Sequence, residues 1–169
     1  MREKEMIVVT IRMSWLLFDI MNETFLRGRC LQDRENYRET SRVFATADDR
    51  DQERILRSIK KGVGMVRAAT AEYLRMDDVQ SDNVGIDATE DIVINLWVPQ
   101  NFNRGMIFGL TEGVHDCLKN MAVSEWYRMT NKEESGEYRE AAEKGMHLIR
   151  ECLGQRVRPT VPSRRKEQE

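Results

Sequence analysis

The stretch from Met106 to Leu153 constrains the fold more than any other part of the chain. In its first half Ile107, Leu110, Val114, Leu118, Met121 and Trp126 recur three to five residues apart, while Glu112, Asp116, Lys119 and Asn120 fall elsewhere around the turn. That spacing is the mark of an amphipathic helix with one apolar face. Tyr138, Ala142, Met146, Ile149 and Leu153 repeat the pattern in the second half, after the short turn Thr130-Asn131. Asn131 stands three residues before Glu134, which predicts a variant of the capping box, and Gly154 predicts a left-handed C-cap. Two long antiparallel helices over 106–153 follow. The fold class expected is therefore mainly α: a small helical bundle with a long C-terminal antiparallel hairpin and a minor β element.

The remainder of the chain supplies the other layers. Met6-Ile7-Val8-Val9-Thr10-Ile11 is β-branched enough for a short strand, or else it continues into the following helix. Ser14 is the candidate N-cap of a helix to about Cys30, with Leu16 or Leu17, Ile20, Met21, Phe25 and Leu31 as its buried stripe. Residues 32–46 are polar and arginine-rich without a sustained period, so an extended connection with at most one turn of helix is expected there. Asp48, Asp49, Asp51 and Glu53 crowd the start of the next helix, where the macrodipole favours negative charge. Its stripe runs through Ile55, Ile59, Val63 or Gly62, Val66, Ala69 or Thr70, and Tyr73, to about Met76. Gly62 and Gly64 inside it predict either close packing or a bend.

A loop over 77–90 leads to Ile92-Val93-Ile94-Asn95-Leu96-Trp97-Val98, the strongest strand signal, ended by Pro99. Its continuous apolar character predicts that both faces are covered. A strand also needs a ladder partner, and the candidates are the segment near Met6, the segment Val79–Val84, or another copy of the chain. Asn103 is the candidate cap of the long helix. The organisation expected is one helical domain over 1–154 and a basic, proline-containing tail over 155–169.

Composition narrows the function. Twenty-seven basic residues against 29 acidic ones give a net charge of −2, so no global basic field draws the chain onto nucleic acid. Cys30, Cys117 and Cys152 are odd in number and lie in helical patterns, which predicts free thiols. The apolar run from Met6 to Met21 is broken by Arg12 and Asp19 and ends in no small-residue cleavage site, so it reads neither as a signal peptide nor as a membrane span.

No constellation for catalysis, cofactor binding or metal binding emerges. His115 and Cys117 are two apart and His147 and Cys152 five apart, and such offsets diverge around a helix instead of converging on an ion. Gly62-Val63-Gly64 lies mid-helix, where no phosphate loop forms. Glu133-Glu134 and Asp77-Asp78 sit where ordinary solvation explains them, and Trp97, Trp126 and Tyr127 fall at core spacing. The tail differs: Arg156, Arg158, Arg164, Arg165 and Lys166 against Glu167 and Glu169 leave a local charge of +3, suited to phosphates or to an acidic protein surface.

The run Ala122-Val123-Ser124-Glu125-Trp126-Tyr127-Arg128-Met129-Thr130-Asn131-Lys132-Glu133-Glu134-Ser135, continuing through Tyr138 to Arg156-Val157-Arg158-Pro159, resembles the helical hairpin of head-tail connector proteins of tailed phages. These are the neck adaptors or head-completion proteins, and the versions most similar are those of phages and prophages of gut Bacteroides-type bacteria. The resemblance extends to the order of parts: a first helix with Asn22-Glu23-Thr24-Phe25-Leu26, a long second helix, a strand ending in Val98-Pro99-Gln100-Asn101-Phe102, the hairpin, and the arginine-proline tail. It implies a non-enzymatic virion protein that forms a homo-oligomeric ring of about twelve copies on the portal. It further implies a downstream neck or tail protein as partner, contact with genomic DNA in the channel, and assembly in the host cytoplasm. The residues it offers to the portal or a neighbouring subunit are Arg156, Val157, Arg158, Pro159, Arg164, Arg165 and Lys166 in the tail, with Ile92, Ile94, Leu96 and Trp97 in the strand. The apolar segment from Met6 to Ile11 departs from the connector pattern. The alternative is a DNA-binding or regulatory helical module, which clustering of Lys60, Lys61, Arg67 and Arg75 on one surface would favour.

Overall fold

The computed structural model of the chain describes residues 4–32, 49–75 and 87–157. The expectations for residues 33–48, for most of the acidic loop including Val79–Val84, and for the tail beyond Val157 lie outside these, as do the side chains of Cys30 and Leu31. The fold is mainly α with a minor antiparallel β element, in the order β1 (Lys4–Ile11), α1 (Met13–Gln32), α2 (Asp49–Ala69), β2 (Ile92–Pro99), α3 (Ile107–Thr130) and α4 (Lys132–Gly154).

β1 is a strand in its own right, and it answers the question of what β2 pairs with. The two run antiparallel in the register Ile11↔Ile92, Val9↔Ile94, Ile7↔Leu96 and Glu5↔Val98. Arg104 Nη2 donates to Glu5 Oε2 at 2.6 Å across one end of this ribbon. Ile7, Val9 and Ile11 with Ile92, Ile94, Leu96 and Val98 form the inner face, in one core with Leu110 and Val114 of α3. The outer face is not covered as the apolar run predicts: Met6, Val8 and Val93 are exposed. Trp97 lies half-buried on that side because the Arg75 guanidinium sits 3.7 Å from its ring centroid, a cation–π contact. A continuous apolar run thus folds as an alternating, one-sided strand.

Helix ends differ from the sequence expectations in four places. α1 begins at Met13, and its N-terminal amide is satisfied by Asp91 Oδ1 at 3.1 Å, from the residue preceding β2, so Ser14 is not the cap. Asn131 takes extended backbone between α3 and α4 without a side-chain cap bond. Gly154 is still helical, and the C-cap is Gln155 in extended backbone, not a left-handed glycine. Asn103, by contrast, does cap: its side chain accepts from Gly105 N at 3.1 Å at the short 3-10 turn Arg104–Met106 that opens α3. α2 ends at Ala69 and hands over to a 3-10 turn at Ala71–Tyr73, short of Met76.

α3 is the central element, with α1, α2 and α4 packed around it. Leu110, Val114, Leu118 and Trp126 are buried, and so are Tyr138, Ala142, Ile149 and Leu153 of α4, as the helical period predicts. Met121 and Met146 complete the stripes as partly buried residues packed on the core. In α1 the buried set is Met13, Leu16, Ile20 and Thr24, whereas Phe25 is exposed. The periodicity of α1 misleads because the helix is apolar on two sides.

Candidate functional site

The α3–α4 seam is closed by small residues. A Cβ added at Gly145 would stand 3.2 Å from Cys117 Cβ and 3.3 Å from its Cα, and one at Gly113 would touch Ile149 at 3.4 Å. Near the turn Ser124 Oγ donates to Ser135 O at 2.9 Å while Ser135 Oγ donates to Ser124 O at 3.0 Å, so two hydroxyls lock the helices reciprocally. Cys117 and Cys152 are buried free thiols in this seam, and burial pushes the Cys117 thiol up to about 11.

Where α1 meets the hairpin, Tyr127 and Tyr138 pack with ring centroids 5.6 Å apart. Tyr138 receives a hydrogen bond from Arg27 Nε at 3.4 Å and donates its own to Glu23. Its burial, reinforced by Glu23, raises its hydroxyl to about 12. Burial raises Tyr127 further still, with Tyr138, Glu134 and Glu23 adding to the effect. These phenols are kept neutral and structural.

The α2–α3 side is built otherwise. α2, α3 and α4 leave a groove of about 400 Å³ whose apolar lining includes Met65, Met121 and Met146. Lys61, Arg128 and Arg139 stand along it with Glu125 and Glu143. Lys61 Nζ lies 2.5 Å from Glu125 Oε1, and this contact draws the Glu125 carboxyl below its ordinary value. A smaller neighbouring recess is lined by Arg54, Arg57, Lys61 and Arg128, again with Glu125 among them. The four cations whose clustering would mark a nucleic-acid surface do not share one site: Lys61 is paired in this groove, while Arg75 is stacked on Trp97 at the sheet.

The strand residues singled out by resemblance divide. Ile92, Ile94 and Leu96 point into the chain's own core, and Trp97 alone of that group lies on the outer side. In the tail, Arg156 and Val157 are folded back onto the strand-to-helix turn. Val157 N donates to Asn101 O at 2.8 Å, and Asn103 N donates to Gln155 O at 3.3 Å. Arg156 Nη1 donates to the helix-terminal carbonyl of Leu153 at 2.5 Å, so this arginine caps α4 and its Nη1 is engaged within the chain. Val157 is exposed at the point where the tail departs. Arg158, Pro159, Arg164, Arg165 and Lys166 lie outside the described residues.

His115 faces Asp19 of α1 at 3.4 Å, and His147 is exposed on α4. Among the described residues no three His, Cys, Asp or Glu side chains gather as metal ligands, and no helix is long and apolar enough to cross a membrane. The groove has no separate sequence signal, because Met121 and Met146 belong to the main stripes of their helices; on α1 the signal is Trp15 and Phe18, which the stripe leaves out. Comparison with protein-family models, with curated proteins and with solved structures gives no match to this chain.

Proposed function

We propose that this chain is a head-tail connector subunit of a tailed-phage neck: a non-enzymatic virion protein that assembles as a ring on the portal, helps join head to tail and helps retain the genome. The observation that carries this reading is the anchoring of the tail. Gln155–Val157 are held against residues 101–103 by backbone hydrogen bonds, so the basic segment from Arg158 to Lys166 leaves from a fixed point beside the start of the hairpin. A tail launched from a rigid base loses less freedom on docking than one tethered by a free linker. Arg158, Arg164, Arg165 and Lys166 suit an acidic portal surface or the phosphates of DNA in the channel. The same order of helix, helix, strand, hairpin and arginine-proline tail supports the reading. About twelve copies, the downstream neck or tail partner and assembly in the host cytoplasm follow from the resemblance to connectors.

The experiment is the mass of the purified protein by light scattering, alone and mixed with the portal encoded in the same genome. A ring-sized species in either sample is expected, and removal of residues 158–169 is expected to weaken the portal complex. A monomer that ignores the portal overturns the reading. The line of Arg54, Arg57, Lys61 and Arg128 gives the DNA-binding module a specific foothold, although Glu125 stands among them. That module becomes the better account if the monomer instead binds duplex DNA with a steep salt dependence.

A further inference from the structure

The groove between α2, α3 and α4 has a volume of about 400 Å³. Sites that take small molecules measure roughly 300–1,000 Å³. What this one can hold follows from its polar groups. Lys61 Nζ lies 2.5 Å from Glu125 Oε1, and Arg128 Nη2 lies 3.4 Å from the other oxygen of the same carboxylate. Arg139 Nε stands 3.7 Å from Glu143 Oε1, one turn further along α4. Ser124 and Ser135 donate their hydroxyl protons to each other's backbone carbonyls. Every charged or hydroxyl side chain lining the groove thus has its partner within the chain, and a charged ligand gains a contact here only by breaking one.

The remainder of the lining is apolar: Met65, exposed at 47%, the half-buried Met121 and Met146, and the buried Ala142. Thioethers on unbranched chains mould to a guest and make favourable contacts with aromatic rings. The ion pairs decide between a small molecule and a protein surface as that guest. Lys61 and Glu125 join α2 to α3, while Arg139 and Glu143 stand on α4 and are exposed to solvent. A surface broad enough to close the groove strips water from these pairs, a cost that their mutual attraction does not offset. A molecule lying between them on the methionines leaves them hydrated.

We propose that the α2–α3–α4 groove is a binding site for an uncharged aromatic small molecule, held by Met65, Met121 and Met146 and passing between the ion pairs. Its recognition involves neither portal nor ring, so failure here leaves the connector reading standing, and failure there leaves this site.

The test uses the full chain and two fluorescent probes that share a skeleton: N-phenyl-1-naphthylamine, which is uncharged, and 8-anilino-1-naphthalenesulfonate, which carries an anion. Wild-type protein titrated to ~0.5 mM is expected to bind the uncharged probe, and to bind the anion no more tightly. With carbon-13 on the methyl groups of the ten methionines, the resonances of Met65, Met121 and Met146 are expected to shift most. Met65→Asp is expected to weaken binding about 10-fold or more, whereas Phe18→Asp, on the exposed outer side of α1, leaves it unchanged. The methionine shifts are read on the wild type, so the site remains testable even where Met65→Asp fails to fold. No binding at ~0.5 mM overturns the proposal. So does a probe that chiefly shifts other methionines or is lost in Phe18→Asp, which would place it elsewhere. An anion bound about 10-fold more tightly than the uncharged probe also overturns it, because Lys61, Arg128 and Arg139 would then act as an anion site.

Discussion

Along α4, the central helix α3 is met by glycine, cysteine and serine at backbone range; along α2 it is met by long side chains that leave a groove. At the first seam Gly145 stands against the backbone of Cys117, so nothing there can yield. At the second, a Cβ on Gly62 would come 2.9 Å from Leu118 Cδ2, the far end of a flexible side chain. The difference separates two kinds of packing within one bundle. The hairpin seam fixes a single register by close approach, whereas the α2 side leaves open volume with charged side chains along it.

The largest expected effect breaks the first seam. Gly145→Val drives methyl groups into the Cys117 backbone and is expected to destabilise the fold by about 3 kcal/mol in denaturant unfolding. A loss below ~1 kcal/mol would mean that the seam is looser than its distances imply.

Alkaline titration gives the next effect. Burial raises Cys117 from 9.0 to about 11, so the folded state holds this proton more tightly than the unfolded chain. Stability from the neutral thiol is complete below pH 9 and is lost as pH rises from 9.0 to about 11. The loss is on the order of 2 kcal/mol, and Cys117→Ala is expected to flatten the unfolding profile in that window. An unchanged slope would place the alkaline sensitivity elsewhere, with Tyr138 first in line.

The serine pair sharpens the comparison at the turn. Ser124→Ala or Ser135→Ala each removes a hydroxyl that donates to the opposite helix, at about 1 kcal/mol apiece. Because the two hydroxyl oxygens also stand 3.3 Å apart, the double variant is expected to depart from the sum by ~0.5 kcal/mol or more in a thermodynamic cycle. Strict additivity would mean that the bonds act separately.

Smallest is the change on the open side. Gly64→Ala meets nothing within 4 Å, so helix propensity alone decides and thermal unfolding is expected to show a gain of ~0.5–1 kcal/mol. A loss there would indicate that the groove side is packed as tightly as the hairpin.

The hairpin could be read from the sequence because its buried residues follow one unambiguous period from Leu110 to Leu153. β1 and its pairing were among the alternatives for the same reason, a dense β-branched run. α1 was harder: with Trp15, Phe18 and Phe25 opposite Leu16 and Ile20, periodicity finds two apolar faces and cannot say which one is inside. The cap at Asp91 is tertiary, 78 residues away along the chain, and so has no local signature. The continuous apolar run of β2 reads as buried on both sides, although Val93 is exposed and Trp97 is covered by the Arg75 guanidinium. The groove has no local signature in the sequence because it belongs to three helices at once. Its methionines look like ordinary core stripe residues until the helices are placed around α3.

The connector reading makes the rigid hairpin a ring's building block. Electron microscopy of the protein mixed with its genome's own portal tests it most directly. That reading predicts a closed ring of copies coaxial with the portal. Bare portals beside free single copies would contradict it.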